Sequence, residues 1–263
     1  MNTISENYDY IPISPEMILQ LHKDMYKFRD YDIGGKFKVA DNIIEGDDEQ
    51  EKKKVLFRSP LANETPKAIE RLCDGFNEAI RTELIDPLLL IPVFILDFLC
   101  IHPFEEGNGR MSRLLFLLML YRADYVIGRY ISVEQLIKET EASYIESFQL
   151  SSIGWHKEEN NYAPFVQYML GVVIVAYRDF SDRVQKVLTD GLSKTERVAK
   201  LIQNTYVEVT KSQIMEKCPD ISRITVERAL AKLLASEDII KIGGGRYTKY
   251  VWNRERESRD IVT

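Results

Sequence analysis

Two apolar runs, Leu88–Cys100 and Leu114–Leu120, constrain this chain more than any other feature. They stand on either side of one polar stretch, His102-Pro-Phe-Glu-Glu-Gly-Asn-Gly-Arg-Met-Ser-Arg113. The longest uninterrupted run, Leu88–Leu96, contains Pro92 and is bordered by Asp86 and Asp97. It falls short of the ~20 residues that a membrane-spanning helix requires. We read Leu88–Cys100 as a core helix leading into the polar stretch, and 109–124 as a second helix leading out of it. The polar cluster then lies where a buried helix begins.

A helix start leaves backbone N–H groups free and carries a partial positive charge, so it attracts anions. Gly107 and Gly109 permit the turn that aims those groups at a ligand. Arg110 and Arg113 lie three residues apart on nearly the same helix face, and each guanidinium can clamp a phosphate. A carboxylate beside a phosphate site repels it unless a cation lies between, which makes Glu106 a candidate Mg²⁺ ligand. His102 can take a proton near neutral pH.

Helical periodicity dominates the rest of the chain. Ser14-Pro15 opens a helix with Ile18, Leu21, His22 and Met25 on one face, ended by Gly34-Gly35. Residues 36–60 break the pattern and predict a hairpin, from Lys36–Val39 and Val55–Pro60, with a polar tip. Thr65-Pro66 starts a helix to about Glu83, with Ile69, Leu72, Cys73, Phe76 and Ile80 inward. Further helices are predicted at 132–150, 162–188 and 194–204. From residue 192 the character changes. Helices at 211–218 and 222–236 precede two strands, Asp238–Ile242 and Gly243–Trp252, joined through glycines. Three helices and a two-stranded wing make a winged helix-turn-helix. The expected fold is mainly α, with a hairpin and a small winged-helix domain. The expected division is 1–190, 191–252 and a charged tail, 253–263.

The twelve-residue stretch resembles the signature of the Fic (filamentation induced by cyclic AMP) family at every defined position, and the similarity extends over roughly residues 1–190. The resemblance implies a protein adenylyltransferase that moves AMP from ATP onto a Tyr, Thr or Ser hydroxyl of a target protein. It implies His102 as general base, Glu106 as Mg²⁺ ligand and Gly107-Asn108-Gly109 as phosphate cradle. Arg110 and Arg113 would meet the β- and γ-phosphates, and Asn108 the α-phosphate. Phe57 in the hairpin flap, Tyr144 and Ser152 would line the nucleotide, although ring packing accounts equally for Phe57 and Tyr144. The flap would pair with an extended target segment by strand addition. Related Doc toxins commonly carry lysine in place of Gly109 and use ATP as a phosphate donor, so glycine favours nucleotide transfer. Transfer of another phosphate-containing group is also known on this fold.

The family's inhibitory helix reads Ser/Thr-x-x-x-Glu-Gly/Asn, and no segment here matches it. The nearest approaches end at Glu6-Asn7 and Glu45-Gly46. Arg113 is therefore expected to be unblocked from within this chain, and the chain to be a fragment or a short form of such cores.

Charge separates the two parts. Residues 1–191 hold 21 Lys+Arg against 31 Asp+Glu, whereas 192–252 hold 11 against 7. The C-terminal module offers Arg223, Arg228, Lys232, Arg246 and Lys249, arranged for DNA phosphates or for protein docking. An alternative function is thus a DNA-binding regulator whose Fic-like core senses nucleotide. The expected partners are a protein substrate with an acceptor hydroxyl, the chain itself included, and no membrane. DNA and a second copy of the chain are further candidates. Cys73, Cys100 and Cys218 are far apart without ligand-like spacing, which suits a reducing cytoplasm.

Overall fold

A computed structural model of the protein describes residues 6–28, 33–47, 53–189 and 191–254. They divide into two compact units, Met1–Ser181 and Asp182–Thr263. The division falls inside a helix, upstream of the 190/191 junction expected from composition. Most of the expected tail lies outside the described residues.

The first unit is built on α1 (Pro15–Tyr26), α2 (Thr65–Thr82), α3 (Pro87–Ile101), α4 (Asn108–Arg122), α5 (Val133–Glu139), α6 (Glu141–Ser152) and the start of α7 (Ala163–Thr189). Proline is accommodated in each of the first three at the helix start, where no N–H is needed. Ser14 caps α1 by accepting from the Met17 N–H at 3.3 Å, and Asp86 caps α3 through the Leu88 N–H at 2.8 Å. Helices α3 and α4 are apolar on nearly every side because they are enclosed on nearly every side. Phe94, Leu96 and Phe98 of α3, and Met111, Leu115 and Leu118 of α4, are buried to 1% exposure or less. Arg122 closes the far end of α4 by donating from Nη1 to the carbonyls of Asp9 and Ile11 at 3.2 and 2.8 Å.

The hairpin is formed by β1 (Ile43–Asp47) and β2 (Lys53–Arg58), antiparallel, with Ile43 opposite Arg58 and a register shift between Ile44 and Glu45. Lys36–Val39 is not its first strand. Lys38 instead donates its backbone N–H to the Pro103 carbonyl at 2.8 Å, which lays this segment along the loop between α3 and α4. The first helix ends at Tyr26 rather than at the glycine pair, and Ile80 of α2 is 36% exposed rather than inward. The helix predicted over 132–150 is two helices. At Thr140 the backbone leaves helical geometry, and its hydroxyl donates to the Leu136 carbonyl at 2.8 Å.

The second unit carries α8 (Lys194–Asn204), β3 (Val209–Thr210), α9 (Lys211–Lys217), α10 (Arg223–Ala235), β4 (Ile239–Ile242) and β5 (Lys249–Trp252). Its strands form one antiparallel sheet in the order β3-β5-β4. Val198, Ile214, Val226, Leu230 and Tyr250 belong to its own core. Ser193 and Glu196 form a reciprocal capping box at α8, and Thr210 and Gln213 another at α9.

Leu118 has no exposed surface, whereas Leu84 is 84% exposed. Urea unfolding should therefore show a loss of about 2–5 kcal/mol for Leu118→Ala and within about 0.5 kcal/mol of wild type for Leu84→Ala. Equal losses would contradict a core centred on α4.

Candidate functional site

The site is assembled at the junction of α3 and α4. His102 caps α3 in a left-handed conformation (φ 50°, ψ 61°), with its N–H on the Phe98 carbonyl at 3.0 Å. Its Nδ1 lies 3.2 Å from the Leu99 carbonyl oxygen. A carbonyl only accepts, so Nδ1 carries the proton and Nε2 holds a lone pair. Burial pulls the imidazole pKa down to about 4, and the Lys38 ammonium works in the same direction against the Leu99 bond. His102 is thus held as a neutral imidazole at physiological pH.

The loop that follows is held from inside. Phe104 has no exposed surface and stacks on the His22 ring at 3.7 Å, with the ring planes nearly parallel. His22 is buried, accepts at Nδ1 from the Gly35 N–H and donates from Nε2 to the Glu106 carbonyl, both at 3.0 Å. Burial lowers its pKa, which keeps this bonding pattern intact at neutral pH. Asn108 closes the loop on itself. Its Oδ1 accepts from the Phe104 N–H at 2.9 Å and its Nδ2 donates to the Phe104 carbonyl at 2.7 Å. The Asn108 amide is therefore spent inside the loop, and what this residue can offer an anion is its backbone N–H.

Gly107 takes φ 86°, and a Cβ there would lie 2.8 Å from the Tyr26 hydroxyl. Both the conformation and the space require glycine. Gly109 differs from expectation. It lies within α4 without positive φ, and a Cβ would make an ordinary 3.5 Å contact with Arg113 Nη1. It does not make the turn. The first helical bond of α4 runs from the Met111 N–H to the Gly107 carbonyl at 2.8 Å, so the preceding N–H groups point out of the helix end.

Arg110 lies over the Tyr26 ring at 4.9 Å and donates to the Tyr26 hydroxyl. Arg113, expected to be free of partners within the chain, pairs instead with Glu134 in the first turn of α5, Nε to Oε1 at 3.2 Å. A carboxylate is favoured at a helix start, but the pair is half in solvent, with Glu134 53% exposed. Glu106 is exposed. Among the described residues, no group of three or more His, Cys, Asp or Glu is placed to hold a metal. Glu45 lies in β1, and most of the near-match ending at Glu6-Asn7 is outside the described residues.

The remaining predicted residues come from α6 and β2. Tyr144 packs against Phe165 and Tyr168, each at 5.7 Å. Its hydroxyl is buried without a hydrogen-bond partner, and burial pushes its pKa up to about 12, with Ser112 and Arg113 opposing. Phe57 stacks on His156 at 5.2 Å and meets Phe148 and Trp155 edge-on. His156 Nε2 donates to the Arg58 carbonyl at 2.8 Å, fastening β2. Trp155 is fixed in turn by donating to the half-buried Asp97 carboxylate at 2.7 Å. Ser152 is buried and donates to the Gln149 carbonyl at 3.2 Å within its own helix. Phe57 and Ser152 thus serve the docking of the hairpin and the interior of α6.

Sequence reasoning missed the struts His22, Lys38, Asn42 and Ser59. The one available signal was a histidine on the apolar face of α1.

The Fic/DOC family model matches residues 12–120. The protein adenylyltransferase and cysteine protease IbpA of Histophilus somni (strain 2336) is 29% identical over 107 residues, which cover 40% of this chain and 2% of that protein. A Fic family protein from Desulfovibrio desulfuricans G20 superposes with a TM-score of 0.55 at 20% identity, over 96% of this chain and 73% of the other. A Fic domain-containing signaling protein from Bacteroides thetaiotaomicron VPI-5482 gives 0.54 at 22% identity, over 66% and 65%. Fic-1 (residues 134–508) from C. elegans gives 0.51 at 20%, over 70% and 50%. At these identities the structural likenesses speak for the fold, mainly helical with a hairpin. Together with the family match they show that this chain carries a Fic/DOC domain over residues 12–120.

Proposed function

We propose that the chain is a protein adenylyltransferase, transferring AMP from ATP to a Tyr, Thr or Ser hydroxyl of a target protein. The observation that carries this is the neutral His102, its Nε2 lone pair unspent, one loop away from a helix start that is open to an anion. An acceptor hydroxyl gives its proton to Nε2 as its oxygen attacks the α-phosphorus. The bond from that phosphorus to the bridging oxygen breaks, and pyrophosphate leaves. The N–H groups at the start of α4 receive phosphate oxygens, and Arg110 neutralises the β-phosphate. Arg113 exchanges Glu134 for the γ-phosphate. Rate then comes from positioning and charge stabilisation.

The exposed Glu106 carboxylate suits a Mg²⁺ ion, which commonly takes one or two carboxylates and fills its shell with water and substrate phosphates. Bound there, the ion would supply charge neutralisation between phosphates. The partial likeness to an adenylyltransferase supports this activity in preference to phosphate transfer, and Gly109 agrees with it.

The alternative, a DNA-binding regulator, draws less support. The winged helix-turn-helix reading of the second unit rests on its three helices and small sheet, and part of its positive charge is already paired. Glu227 holds both Lys211 and Arg223, Asp220 holds Arg197, and Glu208 holds Lys249. A nucleotide sensor also has no use for a base with an unspent lone pair.

Incubating lysate with an alkyne-tagged ATP analogue should label target bands with the wild-type protein. His102→Ala should reduce labelling by about 10²–10⁴-fold. The acid limb of the transfer rate should fall near pH 4, well below the ordinary histidine value of 6.5. Equal labelling by both proteins refutes the role of His102. The Arg113–Glu134 pair has the exposure of a surface ion pair, worth about 0.2–1 kcal/mol. Glu134→Gln should accordingly raise self-modification by less than about fivefold. A rise of orders of magnitude would show that Glu134 locks the site.

A further inference from the structure

Lys38 is the one buried cation among the described residues whose ammonium is shared between the hairpin and the His102 loop. It is 3% exposed. Its three donors have three acceptors: Asn42 Oδ1 at 2.9 Å, Ser59 Oγ at 2.7 Å and the Ile101 carbonyl at 3.2 Å. None is a carboxylate, so the charge is solvated by neutral groups and is not cancelled in an ion pair. Such an arrangement is costly to bury and has to be held by complete hydrogen bonding. Ile101 is the last residue of α3, where the helix end presents partial negative charge to the cation.

The acceptors occupy three structural positions. Asn42 immediately precedes β1 and Ser59 immediately follows β2, so they are the two feet of the hairpin. Asn42 continues the connection by donating from Nδ2 to the Phe104 carbonyl at 3.1 Å and the His102 carbonyl at 3.4 Å. Ser59 donates back to the Asn42 carbonyl at 2.8 Å. The backbone of Lys38 itself bonds to Pro103.

We propose that Lys38 is a positioning residue for the His102 base: it ties both feet of the hairpin to the end of α3 and the His102–Phe104 loop, and it adds a fixed positive charge to the buried surroundings of the imidazole. This rests on the assignment of His102 as base. The charged groups concerned are few. Lys38 acts on His102, and Asp41 and Glu105 act on Lys38. Burial draws the Lys38 pKa down to about 8, against those two carboxylates, so the cation is present through neutral pH. Its loss at higher pH would release the hairpin feet and the base loop together.

The chain has three histidines, His22, His102 and His156, so imidazole NMR resolves each, with His102→Ala providing the assignment. The titration of His102 is followed without nucleotide or target, in the wild type, in Lys38→Met and in Lys38→Gln. Removing the cation should raise the His102 midpoint by about half a unit or more. Lys38→Gln retains an amide that can donate two of the three bonds, and it decides the matter if Lys38→Met does not fold. A residue that only holds structure would lower Tm and leave the midpoint in place. An unmoved His102 midpoint in a folded variant therefore overturns the proposal. A raised midpoint in a protein that transfers no nucleotide upholds the role of Lys38 and removes the transferase assignment alone.

Discussion

The burial of Phe104 holds the candidate site together. Its ring lies in the core against His22, while its backbone N–H and carbonyl are both taken by Asn108. An aromatic anchor at this point converts a loop into a fixed junction. His102 on one side and Gly107 on the other then have no freedom to drift. The Glu106 carbonyl, pinned by His22, sets the left-handed turn at Gly107 from which α4 departs. The geometry at the helix start is thus determined by apolar burial beneath it, and the polar groups facing solvent inherit it.

A second layer of polar groups surrounds this anchor, and it is nearly complete. His22, Lys38 and Asn108 are buried, and each has its hydrogen bonds made. Unpaired buried polar groups cost about 1–3 kcal/mol each, so such a layer stabilises the loop only when it is whole. The Tyr144 hydroxyl is the exception, buried without a partner beside Ser112 and Arg113. The outer groups behave differently. Glu106 is exposed, and Arg113 has only a half-solvated partner in Glu134. A rigid inner layer and replaceable outer contacts suit a site that must receive and release a charged ligand.

How much of this the sequence shows depends on the range of the interaction. The buried helices α3 and α4, the caps at Ser14 and Ser193, and the existence of a hairpin follow from local periodicity and capping chemistry. The placement of the hairpin does not, because Lys36–Val39 has a strand-like alternation yet is claimed by the Pro103 carbonyl. The helix break at Thr140 depends on a single backbone departure that periodicity does not register. In the site, His102, Gly107 and Arg110 are legible because motif chemistry is local. Lys38 and Asn42 are not, since their meaning lies in contacts with Ile101 and Phe104, 63 and 62 positions away in the chain, and Ser59 joins them only through Lys38 and Asn42. Glu134 was likewise invisible, because a single exposed carboxylate carries no pattern. Gly109 shows the opposite error: local reasoning assigned it a turn that Gly107 makes alone.

The proposed nucleotide transfer requires attack at the α-phosphorus. The direct measurement compares ATP radiolabelled at the α-phosphorus with ATP radiolabelled at the γ-phosphorus, each incubated with the protein and lysate. Label should enter protein from the α position alone and disappear with His102→Ala. Label entering from the γ position would mean phosphate transfer and would contradict the account.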